Sequence, residues 1–273
     1  MSDFITFMAA PALGCMVMSF IFTYFGIHVL KRGIVFIDLS MAQLAALGTT
    51  VAFSLNLEEH SFGAILFSIG FVFIGASFFT IVRFMAPRVS QEAVIGIVYV
   101  VAASLAVIVA DRSPHAAEHI QHTLNGSILW VSWRDVLGLT IAFNILGSFL
   151  WATRKAFFKC TDQTNFPEQP YTQKRGFWDF IFYLTLGLAI VACIQTAGIF
   201  LIFALLIIPA ACALQLHHSL GKQLWSGTLM GILVSWTGLG LSFIYDLPTG
   251  STLVCVFGIA FIGILGLSFL LRK

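Results

Sequence analysis

Four potential metal ligands lie close together in a polar stretch near the middle of the chain. They are His115, Glu118, His119 and His122, and they recur at spacings of three and four residues. In a helix, these spacings place all four side chains on or near one face. Imidazole and carboxylate groups are ligands that zinc, manganese and related cations accept. The pattern predicts a metal contact; the alternative is an interfacial helix with solvated histidines.

Ionisable groups are scarce inside the apolar segments, and Asp38 is the clearest of them. It lies about 9 Å beyond Arg32 along a helix, and Gln43 lies about 8 Å further. A buried charge in a membrane is costly and is therefore a functional candidate. We expect Asp38 and Gln43 to line a path, with structural hydrogen bonding between helices as the alternative. Asp179 and Glu92 lie at predicted helix starts, where carboxylates favour the helix dipole.

A third polar group follows an apolar run that begins at Gly198. Pro209 lacks a backbone donor and tends to kink or end a helix. We therefore expect a short helix that breaks at Pro209 and continues as a polar helical segment contacted by another protein. The alternative is a kinked membrane helix followed by an ordinary loop. The polar side chains are Gln215, His217, His218, Lys222 and Gln223.

The composition indicates an integral membrane protein. Of the 273 residues, 59% are hydrophobic and 10% are charged, against about 25% charged in a soluble domain. The acidic N-terminus is not expected to be a cleaved signal peptide. The five cysteines show no CxxC spacing and predict neither a disulfide framework nor a zinc knuckle. The net charge of +2 gives no indication of nucleic acid binding.

Apolar segments near 20 residues, the length that spans a bilayer, recur along the chain. We predict an all-α polytopic membrane protein, a single domain over residues 1–273 with about nine transmembrane segments and an external polar segment at 111–135. The segments are Phe4–Leu30, Ile34–Leu55, Phe62–Val82, Ala93–Ala110, Val136–Ala152, Phe177–Thr196, Gly198–Leu216, Trp225–Tyr245 and Thr252–Leu271.

The basic residues predict the orientation. With nine crossings and an external N-terminus, all of the 14 Lys and Arg residues except Arg112 and Arg134 face the cytosol. The polar residues after Pro209 then lie on the cytosolic side, and residues 111–135 lie outside. No GxxxxGK[ST], HExxH or GxSxG motif occurs, so we expect no enzyme activity and no nucleotide site of the chain's own.

Several motifs resemble the membrane permeases of bacterial zinc and manganese ABC importers, the ABC-3 type. They are Lys31-Arg32 with FID and Gly48, Glu92 to Gly96, Leu124 to Ser132, Gly198 with Leu205–Ala211, and Leu247–Gly250. The order and spacing of these motifs over most of the chain are more specific than any single one.

The resemblance implies an all-helical permease of the ABC-3 or type II-like importer fold in the bacterial inner membrane. It implies a permease homodimer with a cation path, a cytosolic ATPase that binds ATP, and an external solute-binding protein. It also implies that residues 210–222 form the coupling helix, so that Pro209, Gln215, His217, His218 and Lys222 serve the contact with the ATPase. No intrinsic cofactor is expected, and the cargo would be a divalent metal, zinc or manganese.

The second segment departs from the family pattern. The family carries an Asp, and four residues later a His, five residues before a Gly. Counted back from Gly48, those positions hold Leu39 and Gln43, and Asp38 is one position out of register. An amide is a poorer ligand than imidazole for first-row metals. Two alternatives follow: an importer of the same architecture for a chelated or non-metal cargo, and a stand-alone secondary transporter.

Overall fold

The computed structural model describes residues 2–57, 61–86, 88–111, 124–162 and 172–271. Regular structure in these residues is helical, with eight long helices and one 3-10 helix, Ile128–Trp130. All eight helices are long and apolar enough to cross a membrane, which confirms the predicted fold class. They are α1 (Ser2–Arg32), α2 (Ile37–Ser54), α3 (Phe62–Met85), α4 (Gln91–Ala110), α5 (Trp133–Asp162), α6 (Gln173–Leu216), α7 (Leu220–Ile244) and α8 (Thr249–Leu271).

Helix α6 contains the sixth and seventh predicted segments. It has 44 residues, about twice the number that one crossing requires. Gly198 interrupts it with φ 73° and ψ 160°, a conformation that is not helical. The nine predicted apolar segments therefore correspond to eight helices in the described residues, one of which is broken at Gly198.

The predicted break at Pro209 is wrong, because α6 continues through this proline to Leu216. Two glycines of α7 lie near Pro209, and Gly227 is the closer of them. A side chain at Gly227 would meet the carbonyl oxygen of Pro209 at 3.1 Å, and one at Gly231 would meet its Cγ at 3.6 Å. The predicted continuous polar helix over 210–222 is also corrected, since residues 217–219 are non-helical and α7 begins at Leu220.

The chain divides into two compact units, which we describe separately. Unit 1 comprises Met1–Leu30, Leu124–Ser148 and Cys193–Lys273, and unit 2 comprises Lys31–Thr123 and Phe149–Ala192.

Helix α2 forms the core of unit 2. Its span is 78% buried, against 28% for α3 and 22% for α4. Small side chains allow close packing: a Cβ added to Gly48 would lie 2.7 Å from the Ser68 Cα. The Ser68 hydroxyl donates to the Ala45 carbonyl oxygen at 3.0 Å, and the Ser40 hydroxyl donates to that of Ile95 at 2.6 Å. These contacts fix α2 against both neighbouring helices.

Serine caps start the two outer helices of unit 2. The Ser61 side chain accepts a hydrogen bond from the Ala64 backbone N–H at 3.2 Å at the start of α3. Ser90 accepts from the Ala93 backbone N–H at 3.3 Å at the start of α4. Each cap satisfies a donor that the helix cannot pair internally, so the polar sequence before each apolar run determines where the helix begins.

In unit 1, helices pack through glycine. Gly26 of α1 approaches the Leu206 carbonyl oxygen so closely that an added Cβ would overlap it. On α7, an added Cβ at Gly227 would meet Thr23 Cγ2 at 2.6 Å, and one at Gly231 would meet Ser19 Oγ at 3.0 Å. These positions hold α1, α6 and α7 together at the distance of small side chains.

Three sequence motifs of the predicted permease meet at one place in unit 1, which we call the glycine contact. Gly126 (φ 66°) and Gly198 lie backbone to backbone, and a Cβ on either would overlap the other's segment. Gly250 lies equally close to the Asn125 carbonyl oxygen, and the Ser127 N–H donates to the Thr196 carbonyl oxygen at 3.0 Å. The contact fixes the break in α6 against the segment that precedes α5.

Candidate functional site

The polar turn between α6 and α7 is the first candidate site. Three non-helical residues, His217–Ser219, connect the two helices. The His217 N–H donates to the Ala213 carbonyl oxygen at 3.0 Å, and the Gln223 N–H donates to that of Ser219, also at 3.0 Å. Backbone hydrogen bonds therefore continue from each helix to the edge of the turn, and they define its position.

The predicted contact residues of this turn differ in exposure. Gln215, His218 and Lys222 are exposed, His217 is partly exposed, and Pro209 is buried. No acidic residue occurs between Ala210 and Gln223, so the exposed surface carries donors and positive charge. It can present these groups to an acidic or acceptor-rich partner surface. Pro209 is buried and is not part of this exposed surface.

Asp38 and Glu92 form the second candidate site, in unit 2. Asp38 lies in the first turn of α2 and is 1% exposed, and neither of its oxygens accepts a hydrogen bond of normal geometry from the described residues. Glu92, in the first turn of α4, is close enough for the two carboxylates to repel. Its Oε1 accepts from the Phe36 backbone N–H at 3.2 Å. A buried carboxylate with only the backbone N–H groups of its own helix start nearby favours a cation beside it.

Gln43 is buried on the same helix, at 9% exposure. Because five positions separate it from Asp38, the two side chains leave α2 about 140° apart. They are therefore two positions along the helix rather than one ligand pair. No cluster of three or more His, Cys, Asp or Glu side chains able to hold a metal occurs in the described residues. The predicted ligands His115, Glu118, His119 and His122 lie outside those residues.

Asp179 has a role that the sequence did not indicate. Instead of only facing the α6 helix dipole, it pairs with Arg32 at 2.9 Å and with Arg83 at 3.0 Å. Arg32 also donates to the Thr161 hydroxyl at 3.0 Å and lies over the Phe182 ring, 4.2 Å from its centroid. These partners are distant in sequence, which is why no local pattern predicted them. They join the ends of four helices in unit 2.

The eight long apolar helices define a polytopic α-helical membrane protein. The model of the ABC 3 transport family matches residues 4–268. The chain therefore belongs to the ABC 3 transport family, and it is a multi-pass membrane protein of a bacterial ABC transporter.

Two relatives illustrate the similarity within curated proteins. The chain is 29% identical over 224 residues to the manganese transport system membrane protein MntB of Synechocystis sp., covering 79% of this chain and 69% of that protein. It is 30% identical over 196 residues to the manganese transport system membrane protein MntC of Listeria innocua, covering 69% of each chain.

A solved structure shows the same fold. A chain of PsaBC from Streptococcus pneumoniae, determined in complex with Fab, superposes with a TM-score of 0.74 at 21% identity. The match covers 96% of this chain and 93% of that chain. It supports the fold that the sequence resemblance predicted.

Proposed function

We propose that the chain is the permease of an ABC importer for a divalent transition metal, with manganese favoured over zinc. Family membership carries the proposal, and the two relatives named above are manganese transport proteins. As a permease it would contribute no catalysis, and a cytosolic ATPase would bind and hydrolyse the ATP. Membership in an ABC transport family disfavours a stand-alone secondary transporter.

The chemistry of the buried groups supports manganese. Asp38 and Glu92 offer carboxylate oxygens, and Gln43 offers an amide oxygen at a separate position on α2. Carboxylate and carbonyl oxygens suit manganese, whereas imidazole suits zinc. We infer that Asp38, with Glu92 nearby, contacts the cation as it crosses. The external His115, Glu118, His119 and His122 would hold the cation before it enters the membrane.

The assembly would need three partners. The exposed donors of the polar turn would contact the ATPase on the cytosolic side, and an external solute-binding protein would deliver the cation. A second copy of the permease would complete the path as a homodimer. In this arrangement the N-terminus lies outside, the C-terminus lies in the cytosol, and the protein resides in the inner membrane.

The test of this function is metal-stimulated ATP hydrolysis in proteoliposomes that contain the permease, its ATPase and its binding protein. Manganese should stimulate the wild type more than zinc does. The Asp38→Asn variant should lose most of the stimulation, because an amide replaces the buried charge that attracts the cation. Asp246→Asn, which changes an exposed carboxylate outside both proposed metal positions, is the control and should behave as wild type.

The external cluster is tested in the same assay. Changing His115, His119 and His122 together to alanine should raise the manganese concentration needed for half-maximal stimulation and leave the maximal rate unchanged. Failure of every free metal to stimulate the wild type would contradict the metal proposal. Stimulation by a chelated metal alone would instead identify the alternative cargo.

A further inference from the structure

Gln223 is the buried residue of the polar turn. It lies in the first turn of α7 and is 3% exposed, whereas the adjacent Gly221 and Lys222 are exposed. Its side-chain Nε2 donates a hydrogen bond to the His217 carbonyl oxygen at 2.7 Å. This bond connects the start of α7 to the first residue after the end of α6.

This hydrogen bond gives a partner to a backbone carbonyl oxygen that lies just beyond the end of α6. Carbonyl oxygens at the end of a helix have no partner within that helix, and His217 immediately follows the end of α6. At the start of α7, Ser219 occupies the N-cap position and makes no side-chain cap hydrogen bond. Gln223 thus supplies a side-chain link across the turn where the usual cap is missing.

Beyond Gln223, α7 is packed tightly against its neighbours in unit 1. A Cβ at Gly227 would meet the Pro209 carbonyl oxygen at 3.1 Å and Ala213 Cβ at 3.3 Å. Both residues belong to the last turns of α6. This packing couples the start of α7 to the end of α6. A force on the turn reaches both helices only if the turn itself does not bend.

We propose that Gln223 is a positioning residue that stiffens the polar turn, so that movement of the ATPase reaches α6 and α7. This inference rests on the proposed function. Gln215, His218 and Lys222 face the partner, and Gln223 acts from beneath them through the His217 carbonyl. With this bond lost, a push on the turn bends residues 217–219 instead of moving the helices.

The experiment compares Gln223→Leu with Thr228→Val in proteoliposomes with the ATPase and binding protein. Leucine keeps most of the volume and removes the donor. Thr228 is a buried polar residue of the same helix, and its hydroxyl has no hydrogen-bond partner in the described residues. Manganese taken up per ATP hydrolysed should fall severalfold in Gln223→Leu, with ATP hydrolysis and copurification of the ATPase maintained. Thr228→Val should keep the wild-type ratio.

Amide hydrogen exchange supplies a readout that does not depend on transport. Exchange at residues 217–222 should be about fivefold faster in Gln223→Leu, the size expected for one lost hydrogen bond, and unchanged in Thr228→Val. Wild-type exchange in Gln223→Leu, or an unchanged ratio of uptake to hydrolysis, overturns the proposal. So does loss of ATPase copurification, which would make the role purely structural. Absence of metal-stimulated hydrolysis in the wild type is a separate result that overturns the proposed function.

Discussion

Asp179 forms ion pairs with two arginines of unit 2. It is buried and pairs with Arg32 and Arg83. The variant Asp179→Asn leaves both guanidinium groups without this carboxylate. Removing one partner of a buried ion pair costs about 3–5 kcal/mol, and we expect a loss of this size in the free energy of unfolding. Thermal unfolding of the detergent-solubilised protein measures it.

The control for this prediction is Asp246→Asn. Asp246 is exposed and has a φ of 51°, a conformation that asparagine also tolerates. Its unfolding temperature should match that of the wild type. Equal stability of Asp179→Asn and Asp246→Asn would show that the two arginines do not depend on Asp179.

Single residues show what the sequence could and could not predict. The burial of Asp38 was predictable because the residue lies inside an apolar segment, and the structure confirms it. The bridge from Asp179 to two arginines was not predictable, because the partners lie 147 and 96 positions away. Spacing within a helix gives information on neighbours three or four residues apart and none on such distant pairs.

At the scale of elements, the break in α6 depends on Gly198. Its φ and ψ lie in a region that only glycine adopts readily, and other residues there cost about 1–3 kcal/mol. A side chain would also overlap the Gly126 backbone. We expect Gly198→Ala to destabilise the protein by at least that amount and to lower the yield of folded protein, as measured by size-exclusion chromatography and thermal unfolding.

Gly96 of α4 is the matched control, since nothing lies within 4 Å of an added Cβ. Alanine is favoured over glycine inside a helix by about 1 kcal/mol, so Gly96→Ala should leave stability unchanged or raise it. If Gly198→Ala were as stable as Gly96→Ala, the glycine contact would not determine the break.

Helix α6 shows one boundary that the sequence predicted and one that it predicted wrongly. The sixth and seventh apolar segments were separated between Thr196 and Gly198, and the helix breaks at Gly198. Proline suggested a second break at Pro209, but the helix continues through this residue. The packing of Gly227 against the Pro209 carbonyl oxygen is a contact between two helices, which no local pattern shows.

For the whole molecule, the orientation in the membrane remains a prediction from the basic residues. Helix α7 has 25 residues and is about 37 Å long, so its two ends should emerge on opposite sides of the bilayer. In a Cys255→Ser background, His218→Cys should react with an impermeant maleimide only from the cytosolic side. Asp246→Cys should react only from outside.

The reverse labelling pattern would place the polar turn outside the cell. The proposed ATPase contact would then be impossible, whatever the fold. Both positions are exposed, so a difference between them reports sidedness rather than burial.

The positions and order of the apolar segments could be read from the sequence, because apolar runs of bilayer length have few other interpretations. The ends of the helices were less predictable: α5, with a predicted end at Ala152, runs to Asp162. The packing within each unit could not be predicted. It depends on where small residues of one helix meet the backbone of another, as at Gly48 and Ser68 or at Gly26 and Leu206.

The glycine contact has a consequence for which sequence changes the fold can accept. A backbone-to-backbone contact does not depend on side chains that point away from it. It does require that each of the segments keeps its length. Around Gly126, Gly198 and Gly250, point substitutions at a flanking exposed position such as Phe200 should be tolerated. A one-residue insertion or deletion would move the glycines out of alignment. In a library of variants, this region should therefore tolerate point substitutions at outward-facing positions and should not tolerate insertions or deletions.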